Sequence, residues 1–241
     1  MKVIILSAGQ GSRLLPLTED RPKCLLEIGG STLLGLQLKA LQDGGASDVV
    51  IVTGFRTAAV EAAAAAACAP GFAVRTLFNP FYNVADNLAS CWMARAEMAG
   101  PFLLLNGDTL FEPAILGRLL AAQEAPITLT IDKKAAYDSD DMKVKLDGAR
   151  LLDVGKTLLP ADTDGESIGF SRFSKDGARA FVETLDQTMR TPNGLSWWYL
   201  KAIAVLAERG LVQTCSIEGL TWGEVDFHQD LETAAQLFGR P

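Results

Sequence analysis

Three short stretches carry residue types suited to handling phosphate. The first, Ser7-Ala8-Gly9-Gln10-Gly11-Ser12-Arg13, follows the apolar run Val3-Ile4-Ile5-Leu6. A glycine-bearing loop that leaves a strand for a helix can aim backbone N–H groups at an anion and let the anion come close. Two cations are in step with this loop. Arg13 offers phosphate a bidentate fork and Lys23 offers a point charge, and Pro22 stiffens the backbone so that the Lys23 ammonium can return toward the loop. The second stretch, Leu103-Leu104-Leu105-Asn106-Gly107-Asp108, sets a carboxylate directly after an apolar run. The third, Trp222-Gly223-Glu224-Val225-Asp226, does so again far along the chain. Open α/β sheets bind ligands at the carboxyl ends of their strands, and magnesium takes one or two carboxylates together with phosphate oxygens. Asp108 and Asp226 could therefore share one ion. Each feature alone also has an ordinary reading: a structural turn, a solvated cation, or an aspartate capping the next helix.

The Gly9-x-Gly11 pair lacks the third glycine of the dinucleotide fingerprint, where Leu14 stands, and it lacks the Lys-Ser/Thr ending of a P-loop. A nicotinamide dehydrogenase is therefore disfavoured. The formal charge of −7 argues against non-specific nucleic-acid binding, which draws its affinity from clustered Lys and Arg. Cys24, Cys68, Cys91 and Cys215 are scattered without a CxxC pair, so neither a zinc site nor a disulfide framework is expected. No apolar run reaches the roughly 18 residues of a spanning helix, and the N-terminal residues lack a secretory signal pattern. The expectation is a soluble, cytoplasmic chain.

The elements that must position these residues alternate. KVIIL, a helix over Thr32 to Leu41 stopped by Gly44-Gly45, DVVIVTG, an alanine-rich helix closed by Pro70, and AVRTLFN follow one another, which is the pattern of βαβ units. PFLLLNGDTLF, ILGRLLAAQEA and ITLTIDKK continue it. The fold class read from this is α/β, a Rossmann-like, doubly wound, mostly parallel mixed sheet, in one domain over residues 1–241. Between about residues 135 and 175 the pattern changes to short strands and turns, read as a small antiparallel insertion over the sheet's end. Two further helices are expected near Gly177 to Met189 and Ser196 to Arg209, the second carrying Trp197, Trp198 and Tyr199.

The order of a glycine-rich loop with Arg13, Pro22-Lys23, Gly107-Asp108 and a late Glu-Val-Asp226 resembles the nucleotidyltransferases that activate sugar phosphates and related phospho-alcohols. The form G-x-G-x-R-x-x-P-x-T, then PK, then L-x-x-x-x-G is matched from Gly9 to Gly29. Asn79-Pro80 with Tyr82, Asp86-Asn87-Leu88-Ala89-Ser90, and Trp222 to Asp226 are most similar to the phosphocholine cytidylyltransferase group. That group includes inositol-1-phosphate and aminoethylphosphonate cytidylyltransferases. The resemblance implies the nucleotide-diphospho-sugar transferase fold, with Ala8, Gly9, Gly11, Ser12 and Gly107 on the nucleotide and Asn87 and Ser90 near its base. It implies Arg13 and Lys23 on the triphosphate and acceptor phosphate, Mg2+ on Asp108 and Asp226, Lys156 facing the acceptor's phosphate, and Glu166 near the acceptor pocket.

The implied reaction is transfer of CMP from CTP to a small phosphate or phosphonate acceptor with release of pyrophosphate, and it needs no protein nucleophile. An acceptor phosphate is largely dianionic at neutral pH, its second pKa being about 6. The enzyme's work would be alignment and charge neutralisation. His228, the sole histidine, is read as a helix-start or surface residue. Asp140 and Asp141 are read as receiving an acceptor's primary ammonium or a polyol's hydroxyls, with a solvated turn as the alternative, and Trp198 as an acceptor-pocket wall. Two rivals stay open: a uridylyl- or other nucleotidyltransferase acting on a sugar 1-phosphate, and a non-catalytic nucleotide-binding regulatory domain. The expected partners are a nucleoside triphosphate and the acceptor, with neither nucleic acid nor membrane; a homo-oligomer is compatible with the sequence.

Overall fold

The computed structural model describes residues 1–239. Strand β1 (Lys2–Ser7) is buried on both faces. Because side chains alternate along a strand, Val3 and Ile5 enter one core cluster and Ile4 the other. A small hairpin, β2 (Glu27–Ile28) and β3 (Ser31–Thr32), leads into helix α1 (Leu33–Asp43). Thr32 caps that helix by accepting from the Gly35 N–H, and Gly45 turns the chain out of it at φ +86°. Then come β4 (Asp48–Thr53), α2 (Thr57–Ala67) and β5 (Ala73–Phe78). The expected helices and strands are in place this far. The short helix α3 (Asn87–Met93) is an addition that sequence periodicity did not indicate.

Strand β6 (Phe102–Asn106) returns to pair parallel with β1, on the side opposite β4. It is followed by β7 (Thr109–Phe111), α4 (Pro113–Ala121) and β8 (Ile127–Asp132). β9 (Lys143–Asp147) and β10 (Arg150–Gly155) form an antiparallel hairpin, and β11 (Gly165–Phe173) follows. The chain continues through α5 (Lys175–Thr188), α6 (Tyr199–Glu208), β12 (Val212–Ser216), β13 (Trp222–Glu224) and α7 (His228–Phe238). The main sheet runs β5-β4-β1-β6-β11-β8-β12-β10-β9.

The sheet is doubly wound and mixed. β5, β4, β1 and β6 are mutually parallel, whereas β11 runs antiparallel between β6 and β8. The segment read as an insertion is thus antiparallel throughout, but its last strand is central: Ile168, Phe170 and Phe173 are fully buried. Helices α1, α2 and α4 cover one face, and α3, α5 and α6 the other. A third cluster, including Leu14, Leu26, Ile28, Leu110, Val225 and Ala234, fastens α7 and the β7/β13 ribbon over the sheet's carboxyl end.

Candidate active site

Neighbouring β1 and β6 send their following segments over the same end of the sheet. The loop after β1 is braced from within: Thr18 Oγ1 donates to the Gly11 carbonyl (2.8 Å), Gln10 Nε2 to the Thr18 carbonyl (3.0 Å) and the Lys23 N–H to the Gln10 carbonyl (3.2 Å). Gly11 has φ +82°, and a Cβ there would stand 2.8 Å from Lys23 Cβ. Glycine is therefore what lets the Lys23 side chain cross the loop.

Lys23 Nζ donates to Asp108 Oδ2 (2.8 Å) and to Asp226 Oδ1 (2.7 Å). Burial alone would lower the Lys23 pKa, but the two carboxylates outweigh it and hold it above its ordinary value. The device that brings positions 108 and 226 together is the ribbon of β7 and β13, in which Thr109 stands opposite Glu224. The Val225 N–H donates to the Asp108 carbonyl at 3.2 Å. Asp230 then fixes the turn by accepting from the N–H groups of Asp226 and Phe227 at 2.8 and 2.7 Å. Glu224 keeps a solvent face but is crowded from the protein side; lost hydration and then the charges of Asp108 and Asp226 push its carboxyl up.

The pair fits a hard cation. Two carboxylates already converge on one positive centre, and Asp108 Oδ1 is buried with no hydrogen-bond partner. Among the described residues no group of three or more His, Cys, Asp or Glu side chains is placed to hold an ion. Magnesium is a hard cation that takes one or two carboxylates and completes its shell with phosphate oxygens and water.

A cavity of about 540 Å³ opens above this floor. Its walls include Ala8, Gly9, Gly11, Ser12 and Arg13 of the loop, together with Lys23, Gly107, Asp108 and Asp226. Asn87, Ser90 and Trp198 close the other side. Asn87 Oδ1 accepts from the Tyr199 N–H (2.8 Å) and Ser90 Oγ from Asn79 Nδ2 (3.0 Å), so both fasten α3 while facing the cavity. Trp197 and Trp198 precede α6 rather than riding on it. The turn there presents Trp198 both to this cavity and to an adjoining one of about 510 Å³, which Lys156 also lines. His228 opens α7 and is exposed, as expected.

The residues expected on the acceptor side are brought together in two ionic groups. Asp140 accepts from Arg13 Nη1 (2.9 Å) and Lys156 Nζ (3.0 Å), and the Lys156 hydrogen bond leads in holding its carboxyl below the usual range. Arg13 also lies 3.4 Å from Asp226 and stacks over Phe227. Asp141 and the buried Glu166 both pair with Lys134, at 3.1 and 2.7 Å, outside the main cavity. Both aspartates expected to receive an acceptor's ammonium are thus already paired with cations of this chain. Cavity-lining Tyr82 and Asp86 were not singled out from the sequence for a role, nor was Glu224 beside Asp108 and Asp226. The signal available was the motif itself, Asn79-Pro80 with Tyr82 and Asp86-Asn87; that Gly54 leaves room a Cβ would deny Tyr82 shows only in three dimensions.

A model of the MobA-like NTP transferase domain matches residues 3–152. The chain is 31% identical over 238 residues to the bifunctional IPC transferase and DIPP synthase of Rubrobacter xylanophilus, covering 97% of this chain and 51% of that one. It is 24% identical to the CTP:phosphoglutamine cytidylyltransferase of Campylobacter jejuni, covering 96% and 98% of the two chains. The inositol-1-phosphate CTP transferase from T. maritima shares the fold, with a TM-score of 0.79 at 20% identity over 100% of this chain and 98% of the other. The chain spans about half the length of the bifunctional relatives it matches.

Proposed function

The chain belongs to the MobA-like NTP transferase domain family, a family of nucleotidyltransferases, and from that premise we propose that it transfers CMP from CTP to the phosphate or phosphonate of a small acceptor. The observation that carries the reading is the Lys23 ammonium held between Asp108 and Asp226 on the floor of a cavity walled by a glycine loop. The choice of CTP leans on the cytidylyl relatives.

In this reading the backbone of Ala8 to Ser12 and the side chains of Arg13 and Lys23 take the triphosphate, and Asn87 and Ser90 lie toward the base. Lys156 and Arg13 hold the acceptor phosphate. Asp108 and Asp226 would hold Mg2+, which when bound neutralises phosphate oxygens and orients the α-phosphate. An acceptor oxygen attacks the α-phosphorus, a new P–O bond forms, and the bond to the β-phosphate oxygen breaks, with its electron pair leaving on pyrophosphate. No side chain has to take a proton, because the attacking phosphate is already largely dianionic above its second pKa of about 6. The contribution of Arg13, Lys23 and Lys156 is to hold two polyanions in line and offset their charge. The four cysteines are free, which fits a reducing compartment such as the cytoplasm.

Isotope tracing tests the chemistry. An acceptor labelled with 18O in its phosphate should carry that label into the bridging position of the product and leave pyrophosphate unlabelled. Label in the pyrophosphate would overturn the proposed direction of attack.

A further inference from the structure

We propose that the adjoining cavity of about 510 Å³ receives the organic part of the acceptor, and that Lys201 sets its specificity by favouring an uncharged organic part over an ammonium-bearing one. The proposal rests on the reading above in taking Lys156 as a cation that meets the acceptor phosphate. Lys156 lines this cavity, and Trp198 is the wall it shares with the nucleotide-side cavity. A phosphate held at Lys156 with the nucleotide in the larger cavity has the adjoining one open to its substituent. The volume lies within the range of about 300–1,000 Å³ common to small-molecule sites.

The apolar walls are Met142, Leu158, Trp197, Trp198, Ala204 and Val205, among which a charged substituent loses hydration. Indole rings ordinarily repay a cation for that loss, but both already carry one of this chain's. Lys156 Nζ lies 4.9 Å from the Trp198 ring centroid and Lys201 Nζ 5.9 Å from that of Trp197. An incoming ammonium therefore meets like charge at the rings. Asp140 and then the acceptor phosphate offset Lys156, whereas among the described residues no carboxylate pairs with Lys201. The acids that line the cavity stand farther along it. Glu208 is two helical turns beyond Lys201, about 10 Å. Asp153 precedes Lys156 by about 10 Å of extended chain, and its Oδ1 accepts from the Val154 N–H at 2.8 Å. Asp86 lines the nucleotide-side cavity and not this one.

Helix stability does not account for a lysine at this position. Lys201 lies in the first turn of α6 and is exposed, and a cation there opposes the positive end of the helix dipole. The cavity does account for it. Lys201 and Val205, four residues apart, share one face of α6 and both line the cavity. Thr157 and Ser196 add only neutral hydroxyls to the lining. The near part of the cavity is thus apolar and hydroxylated with a net positive charge, which suits a neutral phosphate ester and resists a cationic one.

Phosphocholine and neohexyl phosphate, in which a quaternary carbon replaces the quaternary nitrogen, share a shape and differ in that charge. Their dissociation constants should be measured by NMR titration of the wild-type chain, Lys201→Gln, Lys201→Glu and Val205→Trp. The phosphate common to both probes cancels in the ratio of the constants. The wild type should favour neohexyl phosphate by about tenfold and Lys201→Gln by about threefold, and Lys201→Glu should bind the two about equally. Neither replacement opposes the helix dipole, so both variants should melt no lower than the wild type. Val205→Trp, which fills the cavity, should weaken both probes about tenfold and change methyl phosphate by less than about twofold. The proposal is overturned by a ratio that is the same at all three charges of residue 201, or by tighter wild-type binding of phosphocholine. It is equally overturned if Val205→Trp leaves both probes unchanged, or if neither probe binds. No nucleotide is present, so failure of CMP transfer and failure of this proposal are separate results.

Discussion

The Lys23 ammonium lies 2.8 Å from Asp108 Oδ2 although the two residues are 85 positions apart in the chain. It bridges to Asp226 at 2.7 Å, so the floor of the cavity is one ionic unit, with one more carboxylate than ammonium, made from three remote segments. The loop after β1, the end of β6 and the β7/β13 ribbon each supply one member. This arrangement places a positive centre between two carboxylates directly beneath the glycine loop.

Asp108→Asn should leave the fold in place, because Lys23 keeps Asp226, while nucleotidyl transfer falls by about a hundredfold or more. Circular dichroism together with turnover measures both quantities. Full activity in the variant would remove Asp108 from the proposed metal site.

Gly107 precedes this aspartate, and a Cβ at that position would stand 2.4 Å from the Leu6 carbonyl oxygen and 2.7 Å from Ser7 Oγ. Gly107→Ala must therefore push β6 from β1 or displace Asp108. Overpacking of this kind costs about 1–3 kcal/mol, which corresponds to a fall in melting temperature of about 2–12 °C for a chain of this size. Calorimetry that finds no change would show that the two strand ends are looser than described.

Trp198 faces both cavities, and Lys156 Nζ lies 4.9 Å from its ring centroid. Trp198→Ala takes away the ring that orients this lysine, an interaction worth about 0.5–2 kcal/mol. The acceptor KM should rise about tenfold, with the KM for CTP changing by less than about twofold. Equal rises in both constants would place Trp198 on the nucleotide instead.

Acid sensitivity has one identifiable source away from the site. The hydrogen bond from Lys2 and then the nearby Arg75 hold the Glu97 carboxyl below its ordinary value, against the opposing effect of burial. Its contribution is therefore complete above the unfolded pKa of about 4.3 and is lost as pH falls through the lower folded value. Glu97→Gln should flatten the decline of the urea midpoint below about pH 4.5, by an amount within about 1 kcal/mol. An unaltered slope would assign acid unfolding to other carboxylates.

The parallel half of the sheet was legible because its strands are short apolar runs separated by helix-length segments, and Thr32 and Gly44-Gly45 punctuate α1 as caps should. The cavity's polar residues were legible through local motifs: Gly11 with Arg13, Pro22-Lys23, Gly107-Asp108. Pairings between distant segments were not. Nothing near Asp140 in sequence signals that Arg13, 127 positions away, will hold it, so a carboxylate-rich turn read as open to an acceptor's amine. Strand β11 was read as part of an insertion over the sheet's end, and its central place between β6 and β8 was hidden for a similar reason, since alternation within ESIGFSRFS does not reveal which strands will flank it. Trp197 and Trp198 fell on the wrong side of a helix boundary because Tyr199, rather than either tryptophan, begins the buried stripe of α6.

Pyrophosphate release in the presence of Mg2+ tests the central claim most directly. Each of the four ribonucleoside triphosphates should be paired with phosphocholine, aminoethylphosphonate, phosphoethanolamine, inositol 1-phosphate and hexose 1-phosphates. The account predicts turnover with CTP and at least one of these acceptors, abolished by chelation and restored by added magnesium. Turnover with UTP far above CTP, or release that ignores the acceptor and the metal, would contradict it.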